Sequence, residues 1–186
     1  DSSSSDATRP NSSRKQTKTV PELFVVELPE NCMVAGSEPL QGTAISRPAP
    51  PAGTVQRRLT RTMDRAYPGL ATDVRHWPRS KPDGSEIVFL MRDDNGVIQI
   101  WSISPDGGSP RQVSFGSESV GSALSVHPSG DLVACVIGKS VCEVSLSDGR
   151  VEIVAEQNDR FVCLPFAVVY SPDGKEIAFG GAVKDN

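Results

Sequence analysis

A four-residue turn recurs at a nearly constant interval, and no other feature of the sequence constrains the fold as strongly. Lys81-Pro82-Asp83-Gly84 leads into Ser85-Glu86-Ile87-Val88-Phe89. His127-Pro128-Ser129-Gly130 leads into Asp131-Leu132-Val133-Ala134-Cys135, and Ser171-Pro172-Asp173-Gly174 into Lys175-Glu176-Ile177-Ala178-Phe179. The prolines stand 46 and then 44 residues apart. Proline presets φ at the first corner, Asp or Ser bonds the nearby backbone, and glycine takes the positive φ at the turn's end. A period in the forties with several short strands per unit is the signature of a β-propeller.

The remaining pattern agrees. Apolar runs are short and bounded by Gly, Pro, Asp, Asn or Ser, and no 12-residue stretch keeps a helical stripe. The first complete unit reads as strand A over 74–80, B over 86–92, C over 97–104 and a D strand from Arg111. In strand B, Ile87, Phe89 and Met91 share one face and Val88 and Leu90 the other, so both faces are apolar. That suits a blade packed between two neighbours. In the second unit Gly138-Lys139 predicts a two-residue hairpin turn, which sets Cys135 opposite Cys142. The pair falls at a hydrogen-bonded position where a disulfide is harder to close, so two reduced, buried thiols are expected. The four cysteines, Cys32, Cys135, Cys142 and Cys163, form no C-x-x-C pair, which excludes zinc-ribbon and thioredoxin readings.

The ends read as half units. Glu22 to Pro29 has the character of a C strand and Val55 to Thr60 of a D strand, with a Pro-rich insertion between them. Phe166 to Gly180 supplies an A and a B strand. The expected organisation is a disordered tail over 1–20 and a C–D half blade with insertion and linker over 21–73. Blades follow over 74–121 and 122–164, with an A–B half blade over 165–186. The fold class is all-β: a segment of four-stranded antiparallel blades, about three blades' worth, expected to be part of a larger propeller. The chain starts at Asp1 without a charged-then-apolar leader, so either a leader has been removed or the chain is a piece of a longer product.

These residues resemble the TolB-like propeller repeats, here over about residues 22 to 185. The resemblance rests on Pro-Asp-Gly followed by a polar pair and an apolar strand. It also rests on Gln99-Ile100-Trp101-Ser102-Ile103 leading through Asp106-Gly107 to Pro110-Arg111-Gln112-Val113-Ser114. Tyr67-Pro68-Gly69-Leu70 and Arg75-His76-Trp77 look like the carboxy-terminal half of an uncharacterised bacterial TolB-like family. Ser129 departs from the Pro-Asp-Gly pattern in one residue that a serine turn tolerates. The resemblance implies a propeller of about six blades, export or a periplasmic location, and a module that binds a protein or an envelope polymer. A cytoplasmic location stays open, and a homodimer completing the propeller is one assembly the half units allow.

Motifs for chemistry are sparse, and no enzyme activity, cofactor or metal is expected. Gly116-Ser117-Glu118-Ser119-Val120-Gly121 misses the spacing of a nucleophile elbow. Asp93-Asp94-Asn95-Gly96 places its carboxylates consecutively, as a hairpin turn does and a calcium loop does not. Arg57, Arg58, Arg61 and Arg65 read as solvated residues of an outer strand and its exit loop. Arg75, His76, Trp77 and Arg79 cluster on a strand expected to line the channel, and with His127 they form the candidate binding surface. The alternative is part of a propeller enzyme. It would be sugar-acid lyase-like, with His76 and His127 among channel metal ligands, or the gating domain of a prolyl-oligopeptidase-like serine peptidase. A net charge of −4 argues against nucleic acid as partner, and the absence of an 18-residue apolar run argues against a membrane-spanning helix.

Overall fold

The computed structural model describes residues 19–30, 50–71, 77–121 and 123–183. Most of the expected tail, most of the Pro-rich insertion, Cys32, Arg75 and His76 lie outside the described residues. Among the described residues twelve strands form four antiparallel sheets. β1 (Phe24–Glu27) pairs with β2 (Val55–Arg58). The first four-stranded sheet runs β3 (Arg79–Ser80), β4 (Ile87–Arg92), β5 (Ile98–Ile103) and β6 (Arg111–Gln112) in spatial order. The second runs β7 (Ser125–Val126), β8 (Leu132–Ile137), β9 (Ser140–Ser145) and β10 (Val151–Glu156). β11 (Phe161–Tyr170) pairs with β12 (Ile177–Val183). The all-β blade architecture read from the repeat is therefore present: half a blade, two blades, half a blade.

The three repeated turns are built alike. The glycine amide donates to the carbonyl three residues back: Gly84 to Lys81 (3.0 Å), Gly130 to His127 (2.8 Å) and Gly174 to Ser171 (2.9 Å). The central side chain then accepts from a following amide: Asp83 from Ser85 (3.0 Å), Ser129 from Asp131 (3.3 Å) and Asp173 from Lys175 (3.2 Å). A hydroxyl at 129 thus does the work of the carboxylate at 83 and 173. Asp93 closes its hairpin likewise, accepting from the amides of Asn95 and Val97, both at 2.9 Å.

Packing follows from the two apolar faces of each strand. Val88, Phe89, Leu90 and Met91 are all 0% exposed. Phe89 and Met91, with Trp101 and Ile103, pack on Leu23 and Leu59 of the β1–β2 unit. Val88 and Leu90, with Ile98 and Ile100, pack on Val133, Cys135, Cys142 and Val144 of the next blade. Ala134, Val136 and Val141 then meet Cys163, Val168 and Tyr170. Each such side chain contributes roughly 1.5–3 kcal/mol by leaving water, so these three seams hold the blades in a row.

A side-chain knot repeats between the half blade and the first blade. The Leu23 amide donates to Thr60 Oγ1 (2.8 Å), and that hydroxyl donates to Glu22 Oε2. In the first blade the Ile100 amide donates to Ser114 Oγ (2.9 Å), and that hydroxyl donates to Gln99 Oε1 (2.6 Å). The Leu59 and Val113 amides donate to the Leu23 and Ile100 carbonyls, each at 2.8 Å. Glu22, Leu23 and Thr60 therefore occupy the places of Gln99, Ile100 and Ser114, which identifies β1 as a C strand and β2 as a D strand.

Two elements differ from the sequence pattern. Among the described residues the first A strand is Arg79–Ser80, and Pro78 before it has no amide to extend the ladder. β11 begins at Phe161 rather than Phe166. A register shift between Cys163 and Val168 carries the strand past Pro165, whose presence hid it from a reading by pattern.

Candidate functional site

β3 and β7 stand at the edges of their four-stranded sheets, and β11 lies against β7. Backbone and side-chain bonds tie them together. Arg79 Nε donates to the Leu124 carbonyl (3.0 Å), the Ala123 amide to the Pro165 carbonyl (3.2 Å) and the Tyr170 amide to Ser125 Oγ (3.0 Å). Against this row opens a cleft of about 380 Å³, lined by Arg79, Ala123, Phe166, Val169, Ala178 and Gly180 among others. One cation stands at the rim of an otherwise apolar groove. Trp77, two residues before Arg79, is 68% exposed, whereas Trp101 is buried.

Of the residues singled out from sequence, Trp77 and Arg79 stand close in the chain on this exposed edge. Arg75 and His76 lie outside the described residues. His127 sits apart from the cleft, in the seam with the last unit. Its Nδ1 accepts from the Ser129 amide (3.0 Å), which leaves Nε2 protonated and facing the Gly174 carbonyl at 3.2 Å. Its ring meets Tyr170 edge-on with centroids 4.9 Å apart. Among the described residues no group of three or more His, Cys, Asp or Glu is placed to hold a metal ion.

The arginines of the amino-terminal unit are engaged internally. Arg57 donates to the Asp106 carbonyl (3.2 Å), and Arg58 donates to Glu22 (2.8 Å). The Arg65 guanidinium lies 4.5 Å over the Trp101 ring. Arg61 is exposed. The stretch from Gly116 to Gly121 is a linker. Its Ser119 hydroxyl accepts from the Ile98 amide (3.2 Å), and Val120 bridges to Ile137.

Two arrangements were not visible in the sequence. Tyr170 donates from its hydroxyl to Glu143 Oε1 at 2.5 Å, joining the last unit to the second blade. Burial and then this carboxylate push the tyrosine pKa well above its ordinary value. Beside that pair a second cleft, of about 320 Å³, separates β12 from the outer strands β9 and β10. The bond joins residues 27 positions apart, the cleft sets β12 against β9 and β10 residues 22 or more positions before it, and no local motif marks either one. Among the described residues no helix is long and apolar enough to cross a membrane.

The chain matches no protein-family model. It is 47% identical over 163 residues to the uncharacterized protein YidR of Escherichia coli (strain K12), a match spanning 86% of the chain. The chain covers only 39% of that curated relative's length. Among solved structures it is similar to a protein assigned as TolB from Agrobacterium tumefaciens, with TM-score 0.50 and 23% identity over 71% of the chain and 47% of that structure. It is also similar to an oligogalacturonate lyase in complex with manganese, with TM-score 0.48 and 16% identity over 83% of the chain and 35% of that structure. The fold is that of a TolB-like β-propeller.

Proposed function

We propose that the chain is a non-enzymatic, exported or periplasmic propeller segment that binds a protein or an envelope polymer along its inner edge. The observation that carries this reading is the largely apolar cleft whose lining includes Arg79, two residues after the exposed Trp77. An exposed aromatic face, one cation and an open apolar groove suit a ligand that is apolar or sugar-like in body and bears anionic groups. The enzyme alternative asks His127 to join a metal set or a proton relay. Both of its ring nitrogens already face protein groups, Ser129 and Gly174, which favours the binding reading. The greater length of the relative leaves the whole protein's partners to experiment.

Tryptophan fluorescence tests the reading directly, because the exposed Trp77 responds to an occupant of this edge and the buried Trp101 does not. Titration with soluble peptidoglycan fragments and with acidic polysaccharides should shift the emission. Trp77→Phe should abolish the signal, and Arg79→Ala should weaken binding by about tenfold, the loss of one charge-assisted bond. A chain that leaves every probe free, or that binds one equally well after both substitutions, overturns the proposal.

A further inference from the structure

The two complete blades meet unevenly at their outer strands. β6, in the first, is two residues long, whereas β10, in the second, is six. After β6 the chain runs on as a linker, and serine side chains rather than a longer strand close the outer side of β5. Ser114 Oγ accepts from the Ile100 amide and Ser119 Oγ from the Ile98 amide. On β10, Val151 stands opposite Val144 and Ile153 opposite Cys142. Cross-strand partners share a face of the sheet, and Val144 and Cys142 belong to the seam with the first blade. Val151 and Ile153 therefore extend that face outward, where the short β6 offers no cover. They are 44% and 56% exposed, against 0% for Val144.

Between this apolar shelf and the linker lies a groove of about 230 Å³, lined by Gln99, Ser114, Phe115, Glu118, Ile137 and Val151 among others. Both blades that form it have all four strands within the chain. Phe115 is 71% exposed. Its ring lies beside Gly149, in the turn at one end of β9, and the Glu118 carboxylate stands against Gly138, in the turn at the other end. The groove thus has an apolar end at Phe115 and Val151 and an acidic end at Glu118. Gln99 between them is engaged. Its amide nitrogen donates to the Gly116 carbonyl (2.8 Å), and its oxygen accepts from the Ser114 hydroxyl (2.6 Å). Glu118, by contrast, enters no ion pair or hydrogen bond among the described residues, although Lys139 follows Gly138 in the turn.

The groove is smaller than the roughly 300–1,000 Å³ of a site that engulfs a small ligand. Its size suits one or two side chains presented by a larger partner. We propose that it is a second docking site, at the outer strands and separate from the cleft that Arg79 lines, for an extended segment of a partner protein carrying one large apolar and one basic side chain. The apolar side chain packs on Phe115 and Val151, and a lysine or arginine pairs with Glu118. Phe115 and Glu118 are three positions apart, so their Cα atoms are at most about 11 Å apart. In an extended segment the side chains on one face recur every second residue, about 6.6–6.8 Å apart. The two recognised side chains therefore stand two or four positions apart.

Selection of a random peptide library, displayed on phage, against the immobilised full chain tests this. It should enrich peptides that share a leucine, isoleucine, phenylalanine or methionine with a lysine or arginine two or four positions away. A synthetic peptide of the enriched sequence should lose about tenfold in affinity on Phe115→Ser and again on Glu118→Gln. Selection against Glu118→Lys should replace the basic residue by aspartate or glutamate, a reversal that a folding defect cannot produce. Both side chains are exposed, so the circular dichroism spectra of the variants should match the parent's. A library that yields no such pattern, an affinity indifferent to Phe115→Ser and Glu118→Gln, or a basic preference that survives Glu118→Lys overturns the proposal. A chain that is dimeric by light scattering and becomes monomeric with Phe115→Ser makes a second copy the occupant and overturns it too.

Discussion

The Nε2 atom of His127 lies 3.2 Å from the carbonyl oxygen of Gly174, one repeat further along the chain, and the imidazole occupies the space a side chain at 174 would need. The residue opening the second turn thus supports the glycine closing the third. Lys81 holds the equivalent position one repeat earlier, and its Cε stands 3.2 Å from where a Cβ at Gly130 would be, tighter than ordinary contact.

Glycine-to-alanine substitutions at the three turns should therefore differ although their backbones match. Gly84 has φ of 73° and Gly174 also 73°, so alanine carries the same left-handed cost of about 1–2 kcal/mol at both. Space is open around Gly84, whereas a methyl group at 174 overlaps the His127 ring. Chemical denaturation should show Gly174→Ala losing about 1–3 kcal/mol more than Gly84→Ala. His127→Ala should shrink that difference in a double-mutant cycle. Equal losses at the two glycines would contradict the contact.

Cys135 and Cys142 face each other across β8 and β9 as free, buried thiols. Burial, with the neighbouring thiol adding to it, pushes the Cys135 pKa far up, and burial also raises that of Cys142. Thiolate is the reactive form, so both should resist iodoacetamide in the folded chain and label fully in denaturant. Mass spectrometry of the labelled chain checks this. Rapid native labelling of either would mean that the seam between the two blades is open.

How much of this was legible in the sequence depends on how local each feature is. The Pro-x-Gly turns, the Asp93 hairpin and the Cys135–Cys142 register each arise within about ten residues, and pattern alone located them. The C and D character of the first half blade is legible because Leu23-Phe24-Val25-Val26 and Arg57-Arg58-Leu59-Thr60 resemble Ile100-Trp101-Ser102-Ile103 and Arg111-Gln112-Val113-Ser114. The amino-terminal part of β11 was not legible, because Pro165 breaks the run and a register shift repairs it. The Tyr170–Glu143 bond and the cleft beside β12 were also invisible. They depend on how one blade seats on the next, which no run of neighbouring residues encodes. Trp77 and Arg79 are binding candidates by residue type, but the groove that Arg79 lines is otherwise made largely by Phe166, Val169 and Ala178 of a later unit.

Glu22 gives the fold an acid-sensitive fastening. Its side chain is only 4% exposed. Burial by itself would raise its pKa, but bonds from the Thr60 hydroxyl, the Thr62 amide and hydroxyl, and Arg58 together outweigh burial and hold it below 4.5. A depressed carboxylate pKa means stability that is complete above the unfolded value and lost as pH falls through the folded one. Thermal melts of the chain should therefore fall in temperature below about pH 4.5. Glu22→Gln should flatten that acid limb and lose about 1–3 kcal/mol at neutral pH, since an amide cannot accept every bond the carboxylate does. An acid limb unchanged by the substitution would place the sensitivity elsewhere.

The alkaline limb should belong to Tyr170. Its hydroxyl is a donor to Glu143, so ionisation would set two negative oxygens at hydrogen-bond distance. Burial first, and this carboxylate second, raise the folded pKa above 10.0. The folded chain then keeps a proton that the unfolded chain releases, so stability is complete below the unfolded value and declines as pH rises through about 10. The buried thiols act in the same direction from about pH 9, where an unfolded thiol ionises. Tyr170→Phe separates the contributions. It should cost about 1–2 kcal/mol at neutral pH by leaving Glu143 without its donor. It should also shallow the decline above pH 10, leaving the thiol component below that pH in place. Melting temperatures measured from pH 7 to 11 in parent and variant decide it. A variant whose alkaline decline matches the parent's would show that the Tyr170–Glu143 bond does not hold the last unit to the second blade.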